Sequence, residues 1–149
     1  MVVNFLFDSV IPHLEKNNFK KLVRKINPVI LRDEKVVCGT INIRFCNDKE
    51  IRTFNKKYLA HDYETDILTF YYGNDVNSID SDILISIDTI LKNSKRFRTH
   101  FENELLRVVI HGILHLCGFK DSDKSQKALM RKKENLYLKK LKDDAGQSN

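Results

Sequence analysis

Residues 101–121, FENELLRVVIHGILHLCGFKD, constrain the fold more than any other part of this 149-residue chain. The segment 101–117 is apolar on nearly every side, which predicts a long helix buried inside a domain. Gly118 follows at a position where a left-handed residue can end a helix. The stretch therefore predicts a buried helix with a defined stop.

Strand-like and helix-like segments alternate outward from this helix. Residues 36–46 alternate between apolar and polar side chains and are rich in β-branched types, which is typical of a strand. Asn47 and Asp48 offer a cap to a following helix, and Pro28 is expected to end a basic helix. The predicted strands are 2–7, 36–46, 65–72 and 82–87, and the predicted helices are 18–26, one from residue 48, 88–96, 101–117 and 125–142. Interspersed in one compact unit, they indicate an α+β or mixed α/β class.

Length and composition predict one domain over residues 1–142 and a small, polar, disordered tail over 143–149. No apolar run approaches the ~20 residues that span a bilayer, so no membrane partner is expected. No basic leader precedes the first strand, and we expect a cytoplasmic location.

The net charge of +6 favours polyanionic partners. Cys38, Cys46 and Cys117 form no CxxC pair, which indicates reduced thiols rather than disulfides or a cysteine zinc site.

His111 and His115 stand four residues apart in the predicted buried helix, so both imidazoles lie on one face. This spacing also arises by chance, but two unpartnered imidazoles in an apolar helix would be costly. After Gly118 the chain can fold back and present Asp121. Two imidazoles and a carboxylate suit one zinc ion with a fourth position left for water, whose pKa such an ion lowers to roughly 7. Zinc proteases place a glutamate general base directly after the first histidine, and Gly112 at that position disfavours a peptidase.

At these residues the chain resembles the YbeY family of endoribonucleases that mature ribosomal RNA, whose hallmark is His-Gly-x-Leu-His-Leu-x-Gly-Tyr-Asp-His. Asn55 and Tyr58, followed by residues 65–70 (TDILTF) and 81–86 (SDILIS), resemble further family blocks. Glu104 before the histidines also fits, and the matching blocks extend over about residues 36–134.

The resemblance implies an α+β fold with a central mixed sheet of about four strands flanked by helices. It also implies metal-dependent cleavage of single-stranded RNA, roles in ribosomal RNA processing and ribosome quality control, and ribosomal assembly proteins as partners. The third ligand is usually histidine in the family and is Asp121 here. The family's arginine, implied to contact phosphate, is replaced by Leu59. Lys56, Lys57 and His61 are nearby substitutes, and Lys57 and His61 are the candidates for a catalytic role.

The sequence also allows a binding protein rather than an enzyme. A ribosome-assembly binding factor would use the same ion mainly for structure, and it would be expected to fill the fourth coordination position with a protein ligand. Asp66, at the start of a predicted strand, is a candidate for either the cleft or a backbone-capping role, and the structural role is favoured.

Overall fold

A computed structural model describes residues 2–8, 11, 14–60, 65–72 and 79–147 of the chain. Strands and helices are interspersed within one α+β domain, as the sequence predicted. The strands are β1 (Val2–Phe7), β2 (Cys38–Cys46), β3 (Ile67–Tyr72) and β4 (Ile79–Ser86). The helices are α1 (Lys16–Asp33), α2 (Asp48–Leu59), α3 (Ile87–Arg96), α4 (Phe101–Leu116) and α5 (Lys124–Gln147).

The four strands form one mixed sheet in the order β1-β2-β4-β3. β1 and β4 both run parallel to β2, whereas β3 runs antiparallel to β4 at the edge. The connection from β1 to β2 contains α1, and the connection from β2 to β4 contains α2 and the edge strand β3. This arrangement confirms the predicted mixed sheet of four strands flanked by helices.

The larger core lies between one face of the sheet and helices α1, α3, α4 and α5. Ile41, Ile43 and Phe45 alternate along β2 and point into this core, because successive side chains of a strand face opposite sides. Helix α2 covers part of the other face through a smaller cluster that contains Ile51 and Leu84. Helix α4 contacts α1, α3, α5, β3 and β4 and is the central helix of the domain.

Gly112 allows α4 to approach the sheet closely. A Cβ atom at this position would lie 2.7 Å from Cδ1 of Ile67 and 3.2 Å from Cγ2 of Ile83. Position 112 therefore faces the sheet, and the neighbouring His111 is directed away from it. Among the helices of the described residues, none is both long and apolar enough to cross a membrane.

Two helices extend at their C-terminal ends several residues beyond the sequence prediction. Helix α1 passes through Pro28 and ends at Asp33, so the expected stop near the proline is wrong. The proline removes a backbone donor, but Ile26, Ile30 and Leu31 on both sides of it are buried, and their burial offsets that loss. Helix α5 continues beyond residue 142 to Gln147, and the division into a domain of 1–142 and a tail of 143–149 stays a prediction.

Candidate metal centre

The turn that follows α4 brings Asp121 back toward the helix. Gly118 adopts a φ of +97°, and its N–H donates to the carbonyl oxygen of His115 at 3.0 Å. The N–H of Phe119 donates to the carbonyl oxygen of Leu114 at 3.1 Å, so the two bonds form a Schellman motif. The predicted glycine stop is present, and it reverses the chain within a few residues.

Three ligand-type atoms converge at this end of α4. The Nε2 atoms of His111 and His115 lie 2.9 Å apart. Oδ2 of Asp121 lies 3.2 Å from Nε2 of His111 and 3.5 Å from Nε2 of His115. The structure therefore brings together the three residues that the sequence selected, and they form a cluster that could hold a metal ion.

The outer nitrogens of both imidazoles have acceptor partners. Nδ1 of His111 lies 2.8 Å from Oε2 of Glu134, and Nδ1 of His115 lies 2.9 Å from the carbonyl oxygen of Phe119. A neutral imidazole has one donor and one acceptor nitrogen, so these contacts assign the proton to Nδ1 in both rings. The inner Nε2 atoms are then acceptors, and they face a carboxylate oxygen of Asp121.

Three acceptor atoms in contact repel one another unless a cation or a proton lies between them. Ligands bound at about 2.0–2.2 Å around a tetrahedral ion are roughly 3.3–3.6 Å apart, close to the separations of 3.2 and 3.5 Å from Asp121 to the two histidines. The two Nε2 atoms, at 2.9 Å, are somewhat closer together than such an ion requires. The donor set of two nitrogens and one oxygen also matches the preference of zinc and related ions. The residues present therefore fit a metal ion.

Opposing effects act on the pKa of the two residues that join α4 to α5. Burial by itself would lower the pKa of His111, but the hydrogen bond and charge of Glu134 outweigh it and hold that pKa above its ordinary value. The negative charges of Asp121 and Asp66 act in the same direction. Burial would raise the pKa of Glu134, but hydrogen bonds from His111 and Arg107 hold it below its ordinary value. Glu134 is therefore ionised at neutral pH.

The cluster is accessible from one side. The side chains of His111 and His115 are 19% and 21% exposed, whereas that of Asp121 is 43% exposed. Within the described part of the chain, no further histidine, cysteine, aspartate or glutamate joins these three within ligand distance of one another. Ions and substrates can therefore reach the centre past Asp121.

The other sequence candidates have different outcomes. His61 lies outside the described residues. Lys57 is exposed on α2, where its ammonium group lies 5.2 Å from the ring centroid of Tyr58, so its catalytic role stays a prediction. Asp66 precedes β3, and its backbone carbonyl accepts the N–H of Ser86 at 2.9 Å. Asp66 also contributes to the field at His111, so it combines a backbone contact with proximity to the cluster.

Two residues beside the cluster were not predicted from the sequence. Glu134 contacts His111 from α5, and the hydroxyl of Tyr71 on β3 donates to the carbonyl oxygen of His115 at 2.7 Å. A signal for Glu134 existed, because it is the single acidic residue within 124–142, a segment that otherwise contains many lysines and an arginine. No local pattern indicated Tyr71, since its partner is a backbone atom 44 residues away.

The mixed sheet and the His/His/Asp cluster define a class, namely small α+β domains with a potential metal centre at the end of a buried helix. The sequence profile described as Endoribonuclease YbeY matches residues 8–142. The chain belongs to the YbeY family of endoribonucleases, as its sequence blocks suggested. This membership supports an RNA-cleaving hydrolase.

Individual relatives agree with this assignment. The endoribonuclease YbeY of Chloroherpeton thalassium is 45% identical over 116 residues, which cover 78% of this chain and 82% of the relative. That of Porphyromonas gingivalis is 39% identical over 145 residues, covering 97% and 93%. The solution structure of TM1509 from Thermotoga maritima matches with a TM-score of 0.65 at 25% identity and covers 98% of this chain and 93% of that one. The family resemblance therefore extends over nearly the whole fold.

Proposed function

We propose that the protein is a metal-dependent endoribonuclease that cleaves single-stranded RNA in ribosomal RNA maturation and ribosome quality control. One zinc ion per chain would be held by His111, His115 and Asp121. The observation that supports this centre is the convergence of three acceptor atoms with separations of 2.9, 3.2 and 3.5 Å. Membership of an endoribonuclease family supports RNA as the substrate.

The three residues of the centre have different roles in this proposal. His111 and His115 would hold the ion from the buried helix α4, and Asp121 would lower the net charge of the site on its accessible side. When bound, zinc would supply Lewis-acid polarisation of a phosphate oxygen and a lowered pKa for water. The net charge of +6 would favour the approach of the RNA backbone.

The alternative is a ribosome-assembly binding factor with a mainly structural ion. A structural zinc site has four protein ligands, whereas a catalytic one keeps a position free for water or substrate. The three-residue cluster found among the described residues favours the catalytic reading. Contact with ribosomal assembly proteins and a cytoplasmic location belong to the same proposal.

A metallopeptidase is disfavoured for a steric reason in addition to the sequence departure. That mechanism needs a glutamate at position 112, directly after the first histidine. Here a Cβ atom at Gly112 would point at Ile67 and Ile83 in the sheet, away from the solvent-accessible side of the cluster. A glutamate side chain at this position would therefore start toward the sheet and away from the cluster.

The test combines metal analysis with RNA cleavage. Wild-type protein is expected to purify with, or take up, one zinc ion per chain and to cut single-stranded RNA in preference to a duplex. His115→Ala is expected to lose both properties. His100→Ala is a matched control, because this exposed histidine precedes α4 and makes no side-chain cap bond. Cleavage by His115→Ala at the wild-type rate would contradict the proposal.

A further inference from the structure

Glu134 on α5 places its carboxylate against the outer nitrogen of one of the two imidazoles, Nδ1 of His111. Its side chain is 7% exposed, and its two oxygens have different partners. Oε1 accepts from Nη1 of Arg107 at 3.0 Å, and Oε2 lies 2.8 Å from Nδ1 of His111. Arg131 is more distant at 3.7 Å and is largely exposed. The carboxylate is therefore held in one orientation by two donors of α4.

The three basic side chains of α4 lie on one face of the helix. Arg107, His111 and His115 are spaced by four residues, so they lie one above the other on a single helix face. Helix α5 packs against α4 and delivers Glu134 to the first two of them. The contact exists only while α5 is docked, because Glu134 is 23 residues away from His111 in the chain.

We propose that Glu134 is a positioning residue of the metal centre, and this inference rests on the proposed function. By accepting the Nδ1–H of His111, it keeps the Nε2 lone pair directed at the cluster. A carboxylate on the outer nitrogen also fixes the ring orientation and increases its strength as a ligand. The contact from Glu134, rather than the attachment of α5 as a whole, then contributes to how tightly the centre would hold its ion.

His115 provides an internal comparison. Its Nδ1 donates to the backbone carbonyl of Phe119, so its orientation depends on the turn after α4 and not on α5. Loss of Glu134 is therefore expected to release the ring of His111 alone. The two histidines should respond differently to the same substitution, which a general loss of stability would not produce.

The experiment compares zinc affinities by competition with a chelator of known affinity. Glu134→Ala is expected to weaken zinc binding by about 10–100-fold, the usual effect of losing such a partner. Glu134→Gln is expected to lose less, because the amide oxygen can still accept the Nδ1–H of His111. Tyr137→Phe is the matched control on the same helix, since its hydroxyl bonds Glu34 at 2.6 Å and contacts neither histidine. It should lower the melting temperature and leave zinc affinity within about threefold.

A second readout is the exchange-protected imidazole N–H signal of each histidine in the zinc-loaded protein. The His111 signal should broaden or disappear in Glu134→Ala, while the His115 signal persists. Wild-type zinc affinity in Glu134→Ala, or equal losses in Glu134→Ala and Tyr137→Phe, would overturn the inference. Failure of the wild type itself to bind zinc would instead refute the proposed centre, so the two failures are distinguishable.

Discussion

The imidazole of His115 donates from Nδ1 to the carbonyl oxygen of Phe119, 2.9 Å away, across the turn that ends α4. The same turn continues to Asp121, whose carboxylate returns to within 3.5 Å of Nε2 of His115. One short piece of backbone thus orients one imidazole and places the carboxylate beside it. Its geometry depends on the left-handed conformation of Gly118.

Gly118→Ala is expected to destabilise the protein and weaken zinc binding together. A Cβ atom at this position would meet nothing within 4 Å, so the cost is backbone strain rather than a clash. A left-handed conformation costs an alanine roughly 1–2 kcal/mol. Urea denaturation and chelator competition measure the two effects. Gly118→Asn, which tolerates this conformation better, should recover part of both, and an alanine variant with unchanged zinc affinity would contradict the argument.

Replacement of Asp121 by histidine is expected to keep zinc and change the pH dependence of cleavage. The substitution exchanges a carboxylate for a neutral imidazole, so the bound ion would have one more unit of net positive charge. A more positive centre lowers the pKa of water and moves the pH–activity profile to lower pH. Asp121→Ala should weaken zinc binding and abolish cleavage, and Asp121→Asn separates charge from shape. Wild-type binding and cleavage by Asp121→Ala would refute the role of this residue.

RNA affinity is expected to fall steeply with salt. The chain has a net charge of +6, and phosphate neutralisation by cations releases counterions from RNA. Contact with about four phosphates of a single strand would give a slope of roughly −3 in log affinity against log salt concentration. The His115→Ala protein suits this titration, because it is expected to leave the RNA intact. An affinity that is flat between low and moderate salt would exclude a phosphate-driven interaction.

Acid is expected to weaken the attachment of α5 to α1 at Glu34. Burial would raise the pKa of this carboxyl, but hydrogen bonds from Lys133 and Tyr137 outweigh it and hold the pKa below its ordinary value of 4.5. A pKa that is lower in the folded state stabilises the protein above about pH 4.5, and this contribution is lost as pH falls through the folded pKa. Melting temperatures measured from pH 7 to pH 3 report this loss of stability.

Glu34→Gln provides the comparison for this acid effect. It removes the titrating carboxyl and keeps the size of the side chain, so it should lower the melting temperature at pH 7 more than at pH 3. Parallel curves for the two proteins would show that Glu34 contributes nothing to the acid sensitivity. Since the Glu34 contact lies at a different residue of α5 from Glu134, the substitution tests helix attachment separately from the metal centre.

The sequence predicted the parts of the site that depend on local geometry. The four-residue spacing of His111 and His115 determines that they share a helix face, and Gly118 determines where the chain can reverse toward Asp121. Both relationships span only a few residues, so a sequence pattern is enough to reveal them. The contact of Glu134 with His111 depends instead on how α5 docks, which no pattern within either helix specifies.

The wrong prediction of a helix end at Pro28 also arises from packing between distant parts of the chain. Local chemistry favours a helix stop at a proline, because the ring removes a donor and crowds the preceding turn. Ile26, Ile30 and Leu31 nevertheless bury their side chains in the larger core only if the helix continues. Tertiary packing therefore determines that α1 continues through Pro28, and the local sequence does not indicate this packing.

The central place of α4 in the domain gives the two kinds of ligand different freedom to move. Opening α4 would expose contacts with three other helices and two strands, so its opening free energy should approach that of global unfolding. Asp121 lies beyond the helix in a turn with a 43% exposed side chain, where a much smaller opening is enough to displace it. We therefore expect His111 and His115 to form a stiff pair and Asp121 to be the ligand that yields. Any exchange of ions or change of coordination should begin at the carboxylate.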